Sequence, residues 1–352
     1  MSIELGLIEG YYGTPWSWEA RAKTIATLKP HGYDFYIYAP KADAFLRKRW
    51  RESHPAETAE ALRALSRRCR ETGVRFGVGL SPYELYRDFD GAAQADLARK
   101  LGEFDDWDID DLAILFDDMR GDLPDLAATQ ADIVHWVKAR SAATRIILCP
   151  SYYTDDPVLD RFFGKRPDNY LEDLGRLLDP SVEVFWTGEE VCAREFSAGH
   201  LARVTAQLRR KPFLWDNYPV NDGARMSRFL HLRAFTGRPA SIGAHLSAHA
   251  VNPALQPTLS CIPAITLAES YRLGEAYEYG AAFIHAATAL LGAELAQTIA
   301  KDILFLNDVG LERLAPKTVE RLKSRYSAIE HDAAREIVAF LDGEYRFQEE
   351  IA

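Results

Sequence analysis

Short apolar runs alternate along the chain with longer segments in which apolar residues recur at helical spacing. Several of the short runs are continuously apolar, which is typical of parallel strands that are covered on both faces. The predicted strands are residues 3–9, 33–39, 74–80, 112–116, 145–148, 182–186, 212–215 and 241–246. The predicted helices are residues 17–28, 57–72, 92–105, 126–140, 170–178, 198–209, 225–235 and 258–271.

Eight strand–helix units within about 270 residues match the usual size of a closed barrel of parallel strands. An open, doubly wound sheet is the alternative architecture, and a GxGxxG loop after the first strand would favour it. Residues 9–13 read EGYYG, which has the wrong spacing for that loop. The pattern therefore predicts an α/β fold, a (β/α)8 TIM barrel.

The predicted strands stop at about residue 275. Residues 281–301 are rich in Ala and Leu, and residues 319–347 carry apolar side chains, including Ile337 and Leu341, at helical spacing. We therefore expect a barrel over residues 1–274 and a C-terminal helical extension over residues 275–352. The amphipathic face of this extension either packs on its own barrel or forms a homodimer.

Composition excludes several classes of protein. The 352 residues include 42 Lys and Arg and 52 Asp and Glu, and the resulting net charge of −10 argues against a nucleic acid or an anionic membrane as the partner. No stretch approaches the ~18 apolar residues of a membrane span, and residues 1–10 lack the features of a leader. The four cysteines are scattered and form no CxxC pair, which favours a reducing compartment without structural zinc. Together these features predict a cytoplasmic location.

In a barrel of this type, the functional site is built from the loops that follow the strands. Those positions carry carboxylates, amides, a lysine and several aromatic rings, within residues 9–13, 39–43, 81–84, 117–118, 149–153, 187–190, 215–222 and 249–253. Aromatic rings beside hydrogen-bonding groups suit a sugar, which presents C–H patches on its faces and hydroxyls at its edge.

Asp117 and Asp118 directly follow the apolar run LAILF. Neighbouring side chains in a strand point to opposite faces, so both carboxylates can serve one pocket only where the strand ends. Two carboxylates that close together are expected to differ in pKa, which leaves one protonated as an acid and the other ionised. An ordinary acidic loop, like residues 105–106 and 110–111, is the alternative.

Other polar residues have a structural alternative as well. Lys41 follows a Tyr-rich strand, where it either donates to a substrate hydroxyl or is simply solvated. Residues 215–222 read WDNYPVND, and some of their Asp and Asn side chains serve only a turn. His245 and His249 have i,i+4 spacing, but at a strand end that spacing does not converge, so no metal site is expected. The acidic residues 189–190 are more typical of a loop than of a second catalytic pair.

Several ordered motifs resemble glycoside hydrolase family 84, the β-N-acetylglucosaminidases. The similar segments are GLIEGYYGTPW, YIYAPKAD with RKRWRE after it, LAILFDD, CPSYY, VFWTG, FLWDNYPVND, and VNP followed by LSCIPAITLA. They extend over most of residues 5–270 and stand at predicted strand ends, whereas the C-terminal segment resembles the family less.

The resemblance implies a retaining exo-β-N-acetylglucosaminidase that uses the substrate's own 2-acetamido group and needs no metal or organic cofactor. Asp117 would hold and polarise the acetamido N–H, and Asp118 would be the general acid and base. Tyr153 would contact the oxazoline intermediate, and Trp215 would line the acetamido pocket. The residues that would bind sugar hydroxyls or the acetamido group are Gly10 through its carbonyl, Lys41, Asn217, Asp222 and Asn252.

The resemblance leaves the group attached to the sugar open. The family often has two acidic residues after the lysine, whereas Ala42 precedes Asp43 here, and Tyr152 stands where relatives often have Glu. The substrate is therefore a β-GlcNAc-bearing glycoside or glycoprotein, or another acetamido glycan such as a hyaluronan or cell-wall fragment. A non-catalytic sugar-binding barrel is the alternative from another class. Relatives in this family are often dimers, which favours a homodimer through the extension.

Overall fold

The computed structural model describes residues 3–347 and contains a closed barrel of eight parallel strands in sequential order. The strands are β1 Leu5–Glu9, β2 Tyr33–Tyr38, β3 Arg75–Leu80, β4 Asp111–Leu115, β5 Arg145–Cys149, β6 Glu183–Trp186, β7 Phe213–Asp216 and β8 His249–Val251. The barrel closes because β8 pairs with both β7 and β1. The predicted (β/α)8 TIM barrel with a helical C-terminal region is thus confirmed.

Helices surround the barrel and continue beyond it. They are α1 Trp18–Leu28, α2 Ala56–Thr72, α3 Gly91–Asp105, α4 Leu126–Lys138, α5 Val158–Phe163, α6 Tyr170–Leu177, α7 Ala198–Leu208, α8 Gly223–Met226, α9 Pro257–Leu273, α10 Tyr279–Leu291, α11 Ala293–Ile303, α12 Pro316–Ser327 and α13 Asp332–Leu341. Local chemistry sets several of the ends. Ser17 caps α1 by accepting from the Ala20 amide at 3.1 Å, and Gly73 ends α2 in the left-handed region.

The predicted eighth strand, residues 241–246, is wrong. Ala240–His245 forms a 3-10 helix whose Ile242 is fully buried, and the strand that closes the barrel is the shorter β8. A short apolar run fits either a strand or a buried helical turn, so its periodicity could not separate the two. His245 therefore ends a helical turn and His249 begins a strand.

The predicted helix over residues 225–235 is also mostly wrong. Only the four residues of α8 are helical there, and the chain then runs irregularly to the 3-10 helix. Contacts with the C-terminal region hold this segment instead, since the Leu230 amide donates to the Leu306 carbonyl at 3.0 Å and Asn307 Oδ1 accepts from the Leu232 amide at 2.8 Å.

The C-terminal helices pack on the barrel and share one hydrophobic core with it. The Glu336 carboxylate on α13 accepts from the backbone amides of Thr258 and Leu259, at 2.8 and 2.9 Å, at the N-terminus of α9. An ion pair between Lys23 on α1 and Asp332 on α13 lies nearby. The expected packing of the extension on its own barrel is therefore present, while the division at residue 274 and the homodimer stay predictions.

No helix within residues 3–347 has both the length and the apolar composition that crossing a membrane requires.

Candidate active site

One pocket opens at the carboxyl ends of the barrel strands. All nine residues that the sequence singled out for the site line it, namely Gly10, Lys41, Asp117, Asp118, Tyr153, Trp215, Asn217, Asp222 and Asn252. Each lies just after a strand, or at the end of one in the case of Trp215, and they come from six of the eight strands. Because parallel strands in a barrel all end at the same face, residues distant in sequence meet here.

The two adjacent carboxylates reach the same pocket because β4 ends just before them, at Leu115. The backbone leaves the strand conformation at once, and Asp118 has a φ of 54°, in the left-handed region. Asp is one of the few residues other than glycine that adopt this conformation at moderate cost. The strand alternation that would separate the two side chains is thereby interrupted.

Asp117 is buried against Lys41. Lys41 Nζ forms an ion pair with Asp117 Oδ2, and both side chains are buried. The other carboxylate oxygen, Asp117 Oδ1, is buried and has no hydrogen-bond partner among the described residues. A buried acceptor without a donor is unfavourable, so this oxygen is suited to accept from a polar N–H or O–H of a ligand.

The Asp118 carboxylate has a different set of partners, two neutral hydroxyls. Its Oδ2 accepts from the Tyr12 hydroxyl at 2.8 Å, and its Oδ1 accepts from the Tyr153 hydroxyl at 3.0 Å. Arg47 donates to the Asp118 backbone carbonyl at 3.2 Å and also to the Tyr12 hydroxyl. Two hydroxyls thus fix the orientation of the Asp118 carboxylate at the pocket wall without an ion pair.

The opposite wall is a hydrogen-bonded frame around Trp215. Asn217 Oδ1 accepts from Trp215 Nε1 and from Asn252 Nδ2, both at 2.9 Å. Asn252 Oδ1 accepts from the Gly10 amide at 3.2 Å. A Cβ atom on residue 10 would lie 2.2 Å from the Trp215 ring, so only glycine allows the indole to stand in this position.

Asp222 is the third carboxylate of the pocket. Its Oδ2 accepts from the Tyr12 amide at 2.8 Å. Burial, together with the negative charge of Asp118, raises the pKa of Asp222 to about 6. This carboxyl therefore changes its charge close to neutral pH.

Two polar residues of the segment 215–222 serve the fold and not the pocket. Asp216 is buried and binds Arg238 through two hydrogen bonds of 2.6 and 2.8 Å, and His249 Nε2 lies 3.1 Å from it. Burial raises the pKa of Asp216, but the Arg238 guanidinium holds it below its ordinary value. Asn221 donates to Gln256 Oε1 and to the Phe229 carbonyl, both at 2.9 Å. Both side chains thus stabilise the fold through distant partners, and Asp216 belongs to β7 and not to a turn.

Sequence reasoning missed several residues at the pocket. Tyr12 and Arg47 were inside the quoted motifs, but only the structure shows that they contact Asp118. Cys149 and Cys192 also line the pocket. No local pattern singles out these residues, because their contacts join segments that are distant along the chain.

A model of a family described as beta-N-acetylglucosaminidase matches residues 5–303. This range includes the whole barrel and every residue of the pocket. The chain belongs to the β-N-acetylglucosaminidase family. It is accordingly a member of a glycoside hydrolase family, as the motifs at the strand ends indicated.

Other members of the β-N-acetylglucosaminidase family are similar to the chain over much of its length. Protein O-GlcNAcase of Rattus norvegicus and of Mus musculus are each 28% identical over 278 residues, which is 76% of this chain and 30% of theirs. The chain thus spans about a third of the length of these relatives. A substituted form of the O-GlcNAc hydrolase of Thermobaculum terrenum superposes with a TM-score of 0.77 at 28% identity, over 96% of this chain and 74% of that one.

Proposed function

We propose that this chain is a retaining exo-β-N-acetylglucosaminidase that removes terminal β-linked GlcNAc with help from the substrate's 2-acetamido group. The observation that carries the proposal is the difference between two neighbouring carboxylates in one pocket. Asp117 pairs with Lys41 and keeps a buried oxygen without a donor, whereas Asp118 is oriented by two hydroxyls. One carboxylate is thus suited to bind an N–H, and the other to exchange a proton.

In the first step, the acetamido carbonyl oxygen attacks C1 and the glycosidic bond breaks. Asp117 accepts a hydrogen bond from the acetamido N–H. This hydrogen bond raises the nucleophilicity of the carbonyl oxygen and stabilises the positive charge that develops on the oxazoline ring. Asp118 gives its proton to the departing oxygen. Substrate-assisted glycosidases of this kind need no enzyme nucleophile.

In the second step, water attacks C1 from the opposite side and the oxazoline opens. Asp118, now ionised, takes a proton from that water, and Tyr12 and Tyr153 keep its carboxylate in place. Two inversions at C1 give net retention of configuration. Trp215 lines the part of the pocket that holds the acetamido group, and the remaining polar residues of the pocket bind the sugar.

The substrate that we propose is a β-GlcNAc-bearing glycoside, and in particular a glycoprotein. The names of the relatives support this choice, because they are called a protein O-GlcNAcase and an O-GlcNAc hydrolase. We also propose that residues 1–274 form the catalytic barrel and residues 275–352 a helical extension that joins two chains in a homodimer. Apolar side chains that remain exposed on the extension, Tyr279, Ile284 and Leu304, support the homodimer.

Hydrolysis of matched aryl glycosides tests the proposed function. An aryl β-N-acetylglucosaminide should be cleaved rapidly, and the aryl β-glucoside, which lacks the acetamido group, should not. Replacing the acetamido by a trifluoroacetamido group should slow cleavage strongly, because its carbonyl is a poorer nucleophile. Equal rates for the acetamido and trifluoroacetamido substrates would contradict substrate assistance.

A further inference from the structure

A second cavity adjoins the sugar pocket on the side of Asp118. It shares Tyr12, Lys41 and Asp118 with that pocket and has a volume of about 490 Å³, against about 170 Å³ for the sugar pocket. If Asp118 protonates the leaving group, the aglycone lies beyond Asp118 as seen from the sugar, which is where this cavity begins. The second cavity is therefore placed to hold the aglycone, and we call it the aglycone cavity.

Positive charge dominates the aglycone cavity, although the whole chain has a net charge of −10. Its basic lining residues are Lys41, Arg47, Lys48, Arg87 and Arg120, and its acidic ones are Glu84 and Asp118. Lys48 is exposed and forms no hydrogen bond or ion pair with any residue among 3–347. Such a basic recess on an acidic protein attracts negative charge specifically to this place.

The remaining basic side chains at the mouth of the aglycone cavity are only weakly neutralised. Arg87 lies 3.4 Å from Glu84, and both are about 40% exposed. Arg120 binds Asp122 through two hydrogen bonds, of 2.7 and 2.8 Å, but its side chain is 66% exposed. Exposed ion pairs contribute little free energy, so a carboxylate on a substrate can compete for these guanidinium groups.

The basic lining continues beyond the aglycone cavity. Arg87 and Arg120 also line a further depression, together with Tyr86, Asp122 and Leu123. The basic lining thus spans two adjoining depressions, which suits an extended acidic chain better than a single charged sugar unit at the scissile bond. Tyr83, which is 37% exposed at the aglycone cavity, offers an aromatic face to such a chain.

We infer that the aglycone cavity selects an acidic peptide segment, with Asp or Glu side chains flanking the serine or threonine that carries β-GlcNAc. Lys48, Arg87 and Arg120 are the residues that determine this preference. The inference rests on the proposed function and specifies its substrate class.

Three glycopeptides of equal length test the inference, each with β-GlcNAc on a central serine flanked by Glu, by Gln or by Lys. The kcat/KM of the Glu peptide should exceed that of the Lys peptide by roughly tenfold at ~0.02 M salt and approach it at ~0.5 M, because salt screens the attraction. The triple variant Lys48→Gln, Arg87→Gln, Arg120→Gln should reduce the ratio to about twofold or less at low salt.

A matched variant removes the same number of positive charges elsewhere. Three exposed basic residues, Lys211, Arg272 and Lys317, line neither the sugar pocket nor the aglycone cavity. Replacing each by Gln should therefore preserve the preference for the Glu peptide. This control variant should cleave a neutral aryl β-N-acetylglucosaminide as fast as the unaltered chain.

The remaining outcomes separate the inference from the proposed function. Equal kcat/KM for the Glu and Lys peptides, with normal cleavage of the aryl substrate, would overturn the acidic-peptide preference and leave the function intact. A preference for β-GlcNAc linked to glucuronic acid over β-GlcNAc linked to glucose, without any effect of peptide charge, would also overturn it in favour of a saccharide. Failure to cleave the aryl substrate would instead contradict the proposed function.

Discussion

At the scale of single residues, Asp117 and Asp118 are adjacent in sequence but occupy different electrostatic surroundings. The first pairs with a buried ammonium group, and the second accepts from two phenolic hydroxyls. The ammonium group holds Asp117 so that its second oxygen can accept from a substrate N–H, and the two hydroxyls fix the orientation of the Asp118 carboxylate at the pocket wall. The proposed roles, with Asp117 binding the acetamido N–H and Asp118 exchanging a proton, follow from these neighbours.

Substitution of each carboxylate by its amide should separate the two roles. Asp118→Asn should slow substrates with poor leaving groups by roughly 10²–10⁴-fold, because they need protonation, and affect good leaving groups much less. Asp117→Asn should slow all substrates alike, since its partner is the acetamido N–H in each of them. The measurement is kcat/KM for a series of aryl β-N-acetylglucosaminides of different phenol pKa.

The same dependence on leaving-group pKa in both variants would show that the roles are wrongly assigned. Asp156→Asn is a suitable control. Asp156 lies in the loop after β5, at the same face of the barrel, but does not line the pocket. It should leave the leaving-group dependence unchanged.

Asp222 should make sugar binding depend on pH. Its pKa is raised to about 6, so it is ionised above that pH and protonated below it. An ionised carboxylate accepts stronger hydrogen bonds from hydroxyls, so the affinity for N-acetylglucosamine should fall as the pH drops from 7 to 5, by roughly fivefold. Calorimetric titration at several pH values measures this.

In Asp222→Asn the side chain no longer titrates, and the part of the pH dependence that belongs to residue 222 should disappear. Identical pH profiles for the unaltered chain and this variant would exclude Asp222 as the responsible group.

At the scale of elements, α13 and α9 are joined by a capping interaction over a long sequence separation. Glu336 accepts from two amides at the N-terminus of α9, where the helix dipole favours negative charge. Burial nevertheless raises the pKa of Glu336 from 4.5 to about 7. The capping carboxyl is therefore partly protonated near neutral pH.

This raised pKa should make the stability of the fold fall as the pH rises. Between pH 4.5 and 7 the folded chain holds a proton on Glu336 that the unfolded chain has released, so folding is favoured at the acid end of this window. The contribution of Glu336 should decrease by roughly 3 kcal/mol across it. Urea unfolding of Glu336→Gln at several pH values should lack this component.

Glu330→Gln is the matched control for this measurement, because Glu330 is an exposed glutamate just before the start of α13. It should retain the pH dependence of the unaltered chain. A loss of the pH dependence in both variants, or in neither, would contradict the assignment to Glu336.

At the scale of the whole molecule, the extension buries one apolar face on the barrel and leaves another exposed. Ile284 is 44% exposed and Leu304 is 60% exposed. We therefore expect the full chain to sediment as a dimer, and Ile284→Lys with Leu304→Lys to shift it towards monomer because a charge in an apolar interface is unfavourable.

Phe162 provides the control for the sedimentation measurement, since it is 70% exposed and belongs to α5 and not to the extension. Phe162→Lys should not alter the association. Full-length protein that stays monomeric at high micromolar concentration would exclude the homodimer and leave the barrel and its carboxylates unaffected.

The sequence by itself determined the barrel and the composition of the pocket. Short apolar-rich runs, several of them continuous, identified seven of the eight strands, because buried parallel strands need apolar side chains on both faces. Once the strands were placed, the polar residues at their ends had to meet, since all parallel strands of a barrel end at one face. The nine residues that the family resemblance selected, among them Asp118 and Asn252, accordingly line one pocket.

Only the tertiary structure decided which of these polar groups contact one another. The pairing of Asp216 with Arg238, the contact of Arg47 with Asp118, and the true position of β8 all depend on segments that are distant along the chain. Local periodicity reports which face of an element is buried, and it holds no information on the partner that buries it. The last strand consists of the three residues that pair with both β1 and β7 and so close the barrel. The longer apolar run just before them forms no strand.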